Sequence, residues 1–218
     1  MKLREIRATA RESLKGNWFV AIIASLIASV FSTAGSGIST AGVDEDLAKL
    51  GEFEPQEILI TLAVFGGVII IGLILSLVLS SLVSVGYAQF NIDLVEGTDP
   101  KIATMFSKRR QIWTTICAHF LVFIRTFFGF ILFVVPGIIA IYKYAMVDFI
   151  IADNPGITAR EALDRSKEIM RGNKFRFFLL GLSFFGWYLL VALTFGIAAI
   201  WVVPYIQASY AAFYKEIA

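Results

Sequence analysis

The chain has 218 residues, of which 58% are hydrophobic and 17% are charged. Soluble domains contain about 45–50% apolar and about 25% charged residues, so this composition excludes an ordinary water-facing fold and predicts a protein embedded in lipid. Because the chain has one cysteine, Cys117, and one histidine, His119, an internal disulfide and a metal site of several histidines are excluded.

The amino-terminal segment is predicted to form an amphipathic helix. Its apolar side chains recur at helical spacing at Leu3, Ile6, Ala10 and Leu14, beside a basic stripe of Arg4, Arg7, Arg11 and Lys15. We expect this helix to lie at the inner membrane surface, with its apolar face in the acyl boundary and its cations on anionic headgroups. A purely topological role, as an anchor, is the alternative.

Four apolar runs predict the membrane-spanning part of the chain. They cover residues 18–34, 58–85, 112–151 and 175–217. One crossing of the hydrocarbon needs about 20 residues, so each of the last two runs must fold back once, at Gly129 and at Gly196. Six transmembrane helices are therefore predicted. Residues 35–57 are acidic and form either a solvated loop or a dock for a cation or a basic peptide.

Small residues recur every four positions in the second apolar run. They are Gly72, Ser76, Ser80 and Ser84. Such a ridge lets another helix approach closely, and we interpret it as a helix-packing surface, either within the molecule or in a homo-oligomer. A polar conduit lined by the hydroxyl groups is the alternative.

The amphipathic segment recurs in the last third of the chain. Residues 4–19 match residues 160–175 in type at many positions and without a gap, and the Gly-Asn junction at Gly16 recurs at Gly172. Both glycines suit the left-handed position that ends a helix. Thr158 and Glu161 form a capping-box pattern at the start of the second copy. The internal copy also argues against a cleaved signal peptide in residues 1–34.

These repeats predict three related units, at residues 1–93, 94–153 and 154–218. In the middle unit, Asp99 and Pro100 mark a helix start that precedes a basic end. Each unit is an amphipathic helix followed by a transmembrane hairpin, and all three begin on the same side. We therefore predict a pseudo-threefold axis along the membrane normal.

Lys and Arg residues are concentrated in the segments that would lie inside. Under the positive-inside rule, this bias predicts that both termini are cytoplasmic. The cations that we expect to meet lipid headgroups are Arg4, Arg7, Arg11, Lys15, Lys108, Arg109, Arg110, Arg165, Arg171 and Lys174. These clusters are explained by membrane orientation, so nucleic-acid binding is not predicted.

Ionisable residues inside apolar runs are the best pointers to a ligand site. Lys143 and His119 lie at similar depths on neighbouring antiparallel spans, with Tyr142, Tyr144 and Asp148 close in sequence. We predict a small polar chamber here that holds an anionic headgroup or carboxylate against Lys143. The alternative is that Lys143 pairs with a neighbour or extends to the interface.

Motifs for catalysis are missing from the sequence. It has no nucleophile elbow, no phosphate-binding glycine loop and no helix with two histidines at metal-ligand spacing. Cys117 and His119 are two residues apart and point to different faces of a helix, so they make a poor dyad. We therefore predict a non-enzymatic protein without a cofactor or a metal.

Several short segments of the carboxy-terminal part carry a family resemblance. They include Pro136-Gly137, Ala152-Asp153-Asn154-Pro155, Gly172-Asn173-Lys174, Gly186-Trp187 and Pro204-Tyr205. On these residues the chain resembles an uncharacterised family of bacterial multi-pass membrane proteins. More distantly, its layout is similar to the membrane domain of some glycerophosphodiester phosphodiesterases, without their catalytic domain. The resemblance implies a membrane location and no reaction. Where family members carry Arg, this chain has Lys143, which weakens a bidentate anion clamp.

Together these observations predict an all-α polytopic protein of the bacterial cytoplasmic membrane. Its expected role is accessory or membrane-organising, with anionic lipid, a membrane-protein partner or a second copy of the chain bound at the cytoplasmic face. A small transporter or flippase for an anionic amphiphile is the alternative function.

Overall fold

The computed structural model describes residues 3–40, 55–98, 100–107, 111–132 and 134–218. Within these ranges the regular structure is helical and no strand occurs, which confirms the predicted all-α class. The helices of the described ranges are α1 (Leu3–Leu14), α2 (Trp18–Thr40), α3 (Pro55–Glu96), α4 (Thr104–Ser107), α5 (Ile112–Leu132), α6 (Val134–Lys143), α7 (Val147–Asp153), α8 (Ala159–Ile169), α9 (Lys174–Leu182), α10 (Phe185–Leu193) and α11 (Ala199–Ile217).

Three stretches of the described chain are long and apolar enough to cross a membrane: Ile112–Ile131, Val135–Asp153 and Lys174–Leu193. Large apolar side chains on these stretches face outward, as Phe127 in α5 and Leu189 in α10 do. Lipid is the solvent that accepts such a surface, so the fold is consistent with a membrane protein. The predicted total of six crossings exceeds these three stretches and stays a prediction.

Several predicted boundaries were wrong. α2 continues past residue 34 to Thr40, and α3 continues past residue 85 to Glu96. α5 runs through Gly129 and ends at Leu132, so the chain does not turn at Gly129. Hydropathy located the apolar parts of α2 and α3 and missed the polar turns that extend them. The turn at Gly129 was wrong for another reason: a glycine only weakens a helix, and the apolar residues 130–132 continue it. Gly196 does lie between α10 and α11, with φ +90°. Residues 41–54 of the predicted acidic loop lie outside the described residues.

The apolar face of α1 packs against protein and not against lipid. Ile6, Ala10 and Leu14 are each 0% exposed, and α1 contacts α11 and α3. The prediction that this face enters the acyl boundary was therefore wrong. The apolar stripe has the same period whether lipid or another helix covers it, and here two helices of the same chain fill it.

The apolar face of α8 is buried in the same way. Ala162, Ser166 and Met170 are 0% exposed, and α8 packs on α7 and α5. The hydroxyl of Ser166 donates to the carbonyl of Lys143 at 3.0 Å, so it satisfies a carbonyl at the end of α6. The predicted capping box is confirmed, because the Thr158 amide donates to the Glu161 carboxylate at 3.0 Å and the Glu161 amide to the Thr158 hydroxyl at 3.3 Å.

The turns after α1 and α8 have the same backbone geometry. Gly16 and Gly172 both have φ +86°, which confirms their predicted left-handed conformation. The amide of Asn17 donates to the carbonyl of Leu14 at 3.0 Å, and the amide of Asn173 donates to the carbonyl of Met170 at 3.2 Å. The similar sequences therefore fold into similar junctions between an amphipathic helix and an apolar one.

Three short helices of the described ranges, α1, α4 and α8, each pack on an apolar helix. α1 packs on α11, α4 on α3, and α8 on α7. α3 lies at the centre of this arrangement, in contact with α2, α5, α7 and α11. Gly86 in α3 permits the contact with α4, because a Cβ at that position would overlap the backbone of Met105. The start and basic end predicted for the middle unit, at Asp99 and at Lys108, Arg109 and Arg110, lie outside the described residues.

Candidate functional site

Polar side chains of three helices meet in the apolar part of the molecule. His119 of α5 lies between Asp148 of α7 and Ser81 of α3. Its Nε2 is 2.8 Å from Oδ1 of Asp148, and its Nδ1 is 3.0 Å from Oγ of Ser81. A neutral imidazole satisfies both contacts, with Nε2–H donating to the carboxylate and Nδ1 accepting from the hydroxyl. The structure thus brings together two residues of the predicted chamber, His119 and Asp148.

Asp148 also borders a cavity of about 570 Å³, which we call the Asp148 cavity. Side chains from α2, α3, α7, α9 and α11, together with the turn before α7, surround it. Its lining residues are Ser25, Ala28, Ser29, Val83, Ser84, Tyr87, Ala88, Ala145, Asp148, Phe149, Phe177, Val203, Gln207 and Tyr210. This volume falls in the range of small-molecule sites, about 300–1,000 Å³.

The wall of the Asp148 cavity combines aromatic rings with hydrogen-bonding groups. Phe177 and Tyr210 lie against each other, with ring centroids 4.9 Å apart. The hydroxyl of Ser84 is buried and has no hydrogen-bond partner within the described ranges. A buried hydroxyl without a partner is costly, and a bound ligand or water in the cavity would satisfy it.

The other predicted chamber residues lie elsewhere. The ammonium of Lys143 is 5.2 Å from the ring centroid of Tyr144, and Arg125 of α5 donates to the Tyr144 hydroxyl at 3.2 Å. Tyr142 packs edge-on against Phe178, with centroids 6.0 Å apart. None of these residues lines the Asp148 cavity. The predicted chamber is therefore divided into a carboxylate–imidazole pair and a separate group in which two cations surround one tyrosine.

Sequence reasoning missed most of the polar lining of the Asp148 cavity. Ser25 and Ser29 lie four residues apart in α2, and Gln207 is an amide within the last apolar run. These residues are uncharged and lie outside the serine ridge of the second apolar run, so neither feature that pointed to a polar site within the runs includes them. Their helical spacing and their place in apolar runs were the available signals.

The predicted helix-packing ridge is partly described. Gly72 is buried, and Ser84 faces the Asp148 cavity, so the ridge contributes to a polar wall at this end. Ser80 lies four residues before Ser84 and is half-buried, while the side chain of Ser76 is outside the described part of the structure. The packing function of the ridge, including its use in a homo-oligomer, stays a prediction.

A second feature is a row of arginines on α1. Arg4, Arg7, Ala8 and Arg11 line a cleft of about 360 Å³, which we call the arginine cleft. Tyr205 of α11 holds two of these arginines, because its hydroxyl accepts from Nε of Arg7 at 3.1 Å and from Nε of Arg11 at 3.2 Å. Among the described residues that line the cleft there is no carboxylate. The terminal guanidinium nitrogens can therefore bind an anion in a forked geometry.

The other cations predicted to meet lipid are less uniform in their surroundings. Arg165 and Arg171 are exposed on or beside α8, and Lys174 begins α9. Clefts around α8 include Asp164 and Glu168 as well as cations, so the local charge is mixed. Lys15 is exposed after α1. Lys108, Arg109 and Arg110 lie outside the described residues, and their lipid contacts stay predictions.

Metal-ligating side chains do not gather within the described ranges. No group of three or more His, Cys, Asp or Glu residues there could hold a metal ion. Cys117 is exposed on α5, within an apolar stretch. The prediction that the protein is not an enzyme is not tested by this geometry.

The helical fold and its outward-facing apolar surface are consistent with a helical membrane protein, and comparison with known proteins identifies its family. The family described as Protein of unknown function (DUF975) matches residues 56–218. The chain belongs to this family, in agreement with the resemblance to an uncharacterised one. No curated protein and no solved structure matches the chain. The resemblance to glycerophosphodiester phosphodiesterases is not shown.

Proposed function

We propose that the protein is a non-enzymatic membrane protein that binds anionic lipid headgroups at its cytoplasmic face. Through these lipids it organises the membrane or supports a partner protein there. The arginine cleft is the observation that carries the proposal, because Arg4, Arg7 and Arg11 line it and none of its described lining residues is a carboxylate. A phosphate group is the anion whose geometry fits forked guanidinium donors.

Tyr205 gives this cleft its specificity. Its single hydroxyl accepts from both Arg7 and Arg11, so two like charges are held within a few ångströms of each other. Such proximity is unfavourable in the empty cleft and favourable once an anion lies between the two guanidinium groups. The guanidinium of Arg7 is also 5.3 Å from the ring centroid of Phe184, which fixes it further.

The proposed architecture places this cleft at the inner surface of the bacterial cytoplasmic membrane. We propose six crossings in three hairpins, with both termini cytoplasmic and a pseudo-threefold relation between the units. The matched turns at Gly16 and Gly172 support the repeat. The cyclic packing of α1 on α11, α4 on α3 and α8 on α7 supports the threefold order, because each amphipathic helix then packs on the returning helix of the preceding unit.

Lipid titration of the purified full-length protein tests the proposal. Native mass spectrometry would compare binding of short-chain phosphatidylglycerol and phosphatidylcholine to wild type and to the triple variant Arg4→Gln, Arg7→Gln, Arg11→Gln. Wild type should prefer phosphatidylglycerol, and the variant should lose about tenfold or more of that preference. A hydrogen bond to a charged group contributes about 1.5–3 kcal/mol, and about 1.4 kcal/mol is a factor of ten.

A matched variant separates the cleft from general positive charge. Arg160→Gln, Lys167→Gln, Arg171→Gln removes the same charge from the region of α8, where Asp164 and Glu168 lie nearby. This variant should keep most of the preference for phosphatidylglycerol. Tyr205→Phe should weaken the preference without charge loss, because the phenyl ring keeps its packing and loses the shared acceptor. Equal losses in the two triple variants would contradict the proposal.

A second candidate function is a small transporter or flippase for an anionic amphiphile, and the two cations that lie at Tyr144, Arg125 and Lys143, favour it. The anionic substrate predicted from Lys143 would bind outside the Asp148 cavity, beside Arg125 and Tyr144. Flux of a fluorescent anionic amphiphile across proteoliposomes tests this function. Lys143→Ala should abolish the flux while the protein stays folded, and unchanged flux would contradict it.

A further inference from the structure

We propose that the Asp148 cavity binds an organic ammonium ion that carries an apolar chain. Its charged nitrogen would lie between the Asp148 carboxylate and the rings of Phe177 and Tyr210, with the chain against Val83 and Val203. This binding site goes beyond lipid binding at the arginine cleft and does not depend on it. It also does not require that the protein transport the bound ion.

The charge of the lining selects the class of ligand. Among the described residues that line the cavity, Asp148 is the only acidic or basic side chain, since the phenols of Tyr87 and Tyr210 carry no charge near neutral pH. The cations of the neighbouring helices, Arg125 and Lys143, lie at Tyr144 and do not line the cavity. A cation entering the cavity is therefore attracted, and an anion is repelled.

His119 holds the Asp148 carboxylate through one of its two oxygen atoms. It contacts Oδ1 of Asp148, and within the described ranges Oδ2 has no hydrogen-bond partner. The second ring nitrogen of His119, Nδ1, contacts Ser81 on the side away from the carboxylate, so the imidazole covers one oxygen of Asp148 and leaves the other open to the cavity. Oδ2 is then the natural contact for a ligand cation.

The aromatic lining completes the recognition. Four rings of the described residues border the cavity, those of Tyr87, Phe149, Phe177 and Tyr210. Ring faces attract cations, and several aromatic side chains around one carboxylate are a general way to bind ammonium groups whose nitrogen cannot donate hydrogen bonds. The cavity of about 570 Å³ has room for such a headgroup together with a short alkyl chain.

Equilibrium binding to the full-length protein in phosphatidylcholine nanodiscs tests the inference. The probe is labelled octyltrimethylammonium, with octyl sulfate as the charge-reversed comparison and empty nanodiscs as the background. Wild type should bind the ammonium saturably at one site. Asp148→Asn should lower its affinity about tenfold or more, because the ion pair is lost. Tyr210→Leu should lower it about two- to fivefold, the size of one cation–π contact.

Control variants make the result specific. Asp164→Asn removes an exposed carboxylate of α8 and should bind the ammonium as wild type does. Ala145→Leu fills the cavity without changing its charge and should abolish binding, which tests the site even if Asp148→Asn fails to fold. The triple variant of the arginine cleft should bind the ammonium normally, so the two proposals fail separately. Absence of saturable binding, unchanged affinity in both Asp148→Asn and Ala145→Leu, or equal binding of octyl sulfate would overturn the inference.

Discussion

The ammonium of Lys215 lies 2.7 Å from a carboxylate oxygen of Glu96, and this ion pair joins the last turn of α11 to the last turn of α3. The same ammonium is 3.1 Å from Asp153, the last residue of α7. The hydroxyl of Tyr214 donates to the other oxygen of Asp153 at 3.0 Å. One lysine therefore connects the ends of three helices, and in the proposed repeat these are the returning helices of all three units.

Lys215→Met should destabilise this junction modestly. The side chains of Lys215 and Glu96 are 27% and 45% exposed, so each ion pair is screened by solvent and contributes at most about 1 kcal/mol. A loss of that size lowers the melting temperature by about 2–4 °C in a chain of this length. Thermal unfolding in detergent at low salt should show the shift, and high salt should reduce it. Lys167→Met, on the exposed face of α8, is the control and should leave the melting temperature unchanged. Equal melting of the Lys215 variant and wild type at low salt would contradict the prediction.

Gly86→Ala should separate α4 from α3. A Cβ at position 86 would overlap the carbonyl of Met105, and backbone cannot move aside as the end of a side chain can. Met105 is 0% exposed, so the displaced segment has no room nearby. Overpacking of this kind costs about 1–3 kcal/mol.

A thermal melt of Gly86→Ala against Gly66→Ala tests this prediction. Gly66 lies in the same helix and has open space around it, so alanine there should be neutral or slightly stabilising. A lower melting temperature for Gly86→Ala alone would support the contact. Similar melting of the two variants would show that α4 does not press on α3 at this position.

Local features of the fold could be predicted from the sequence, because they depend on neighbouring residues. The capping box at Thr158 and Glu161 and the left-handed glycines Gly16 and Gly172 are set within one helical turn. The partner of an amphipathic face could not be predicted in this way. The stripe of α1 has the spacing of a lipid-facing helix, and only the tertiary fold shows that α11 and α3 cover it.

The candidate site could be predicted only in part, because the sequence gives the depth of a residue along an apolar run. Depth along two antiparallel runs placed His119 level with Lys143, and Asp148 was included because it is close to Lys143 in sequence; the structure joins His119 to Asp148 at 2.8 Å. Depth does not give the rotation of a helix about its axis. Lys143 therefore lies against Tyr144, and Gln207 lines the cavity although its place in the last apolar run does not show which way its side chain faces.

The contribution of Glu161 to the stability of the folded protein should depend on pH. The backbone hydrogen bond from Thr158, followed by the interaction with its side chain, lowers the pKa of the Glu161 carboxyl below its usual value. A carboxyl with a lowered pKa in the folded state stabilises that state above its unfolded pKa of about 4.3, and the contribution is lost as pH falls through the folded pKa. Glu161→Ala should therefore melt below wild type at neutral pH, and the difference should shrink in acid.

Melting curves of wild type and Glu161→Ala at neutral pH and at about pH 3 would check this dependence, with Glu168→Ala as the matched control. Glu168 is exposed near the carboxyl end of α8, where a negative charge is not favoured by the helix dipole. Its removal should be neutral or slightly stabilising at neutral pH. A difference between Glu161→Ala and wild type that stays constant with pH would show that ionisation of Glu161 does not support the cap.

The predicted acidic loop, residues 35–57, and helix α8 should be exposed on opposite faces of the membrane. Cys117→Ala first removes the native thiol, and Asp44→Cys or Asp164→Cys then introduces one reporter in each variant. A membrane-impermeant thiol reagent on intact cells should label the first variant, and should label the second only after permeabilisation. The reason is the concentration of Lys and Arg around α1 and α8, which the positive-inside rule assigns to the cytoplasm. Labelling of both variants from one side would place α8 and the predicted acidic loop in the same compartment. The arginine cleft could then not be assigned to the cytoplasmic leaflet, where anionic lipids attract basic segments.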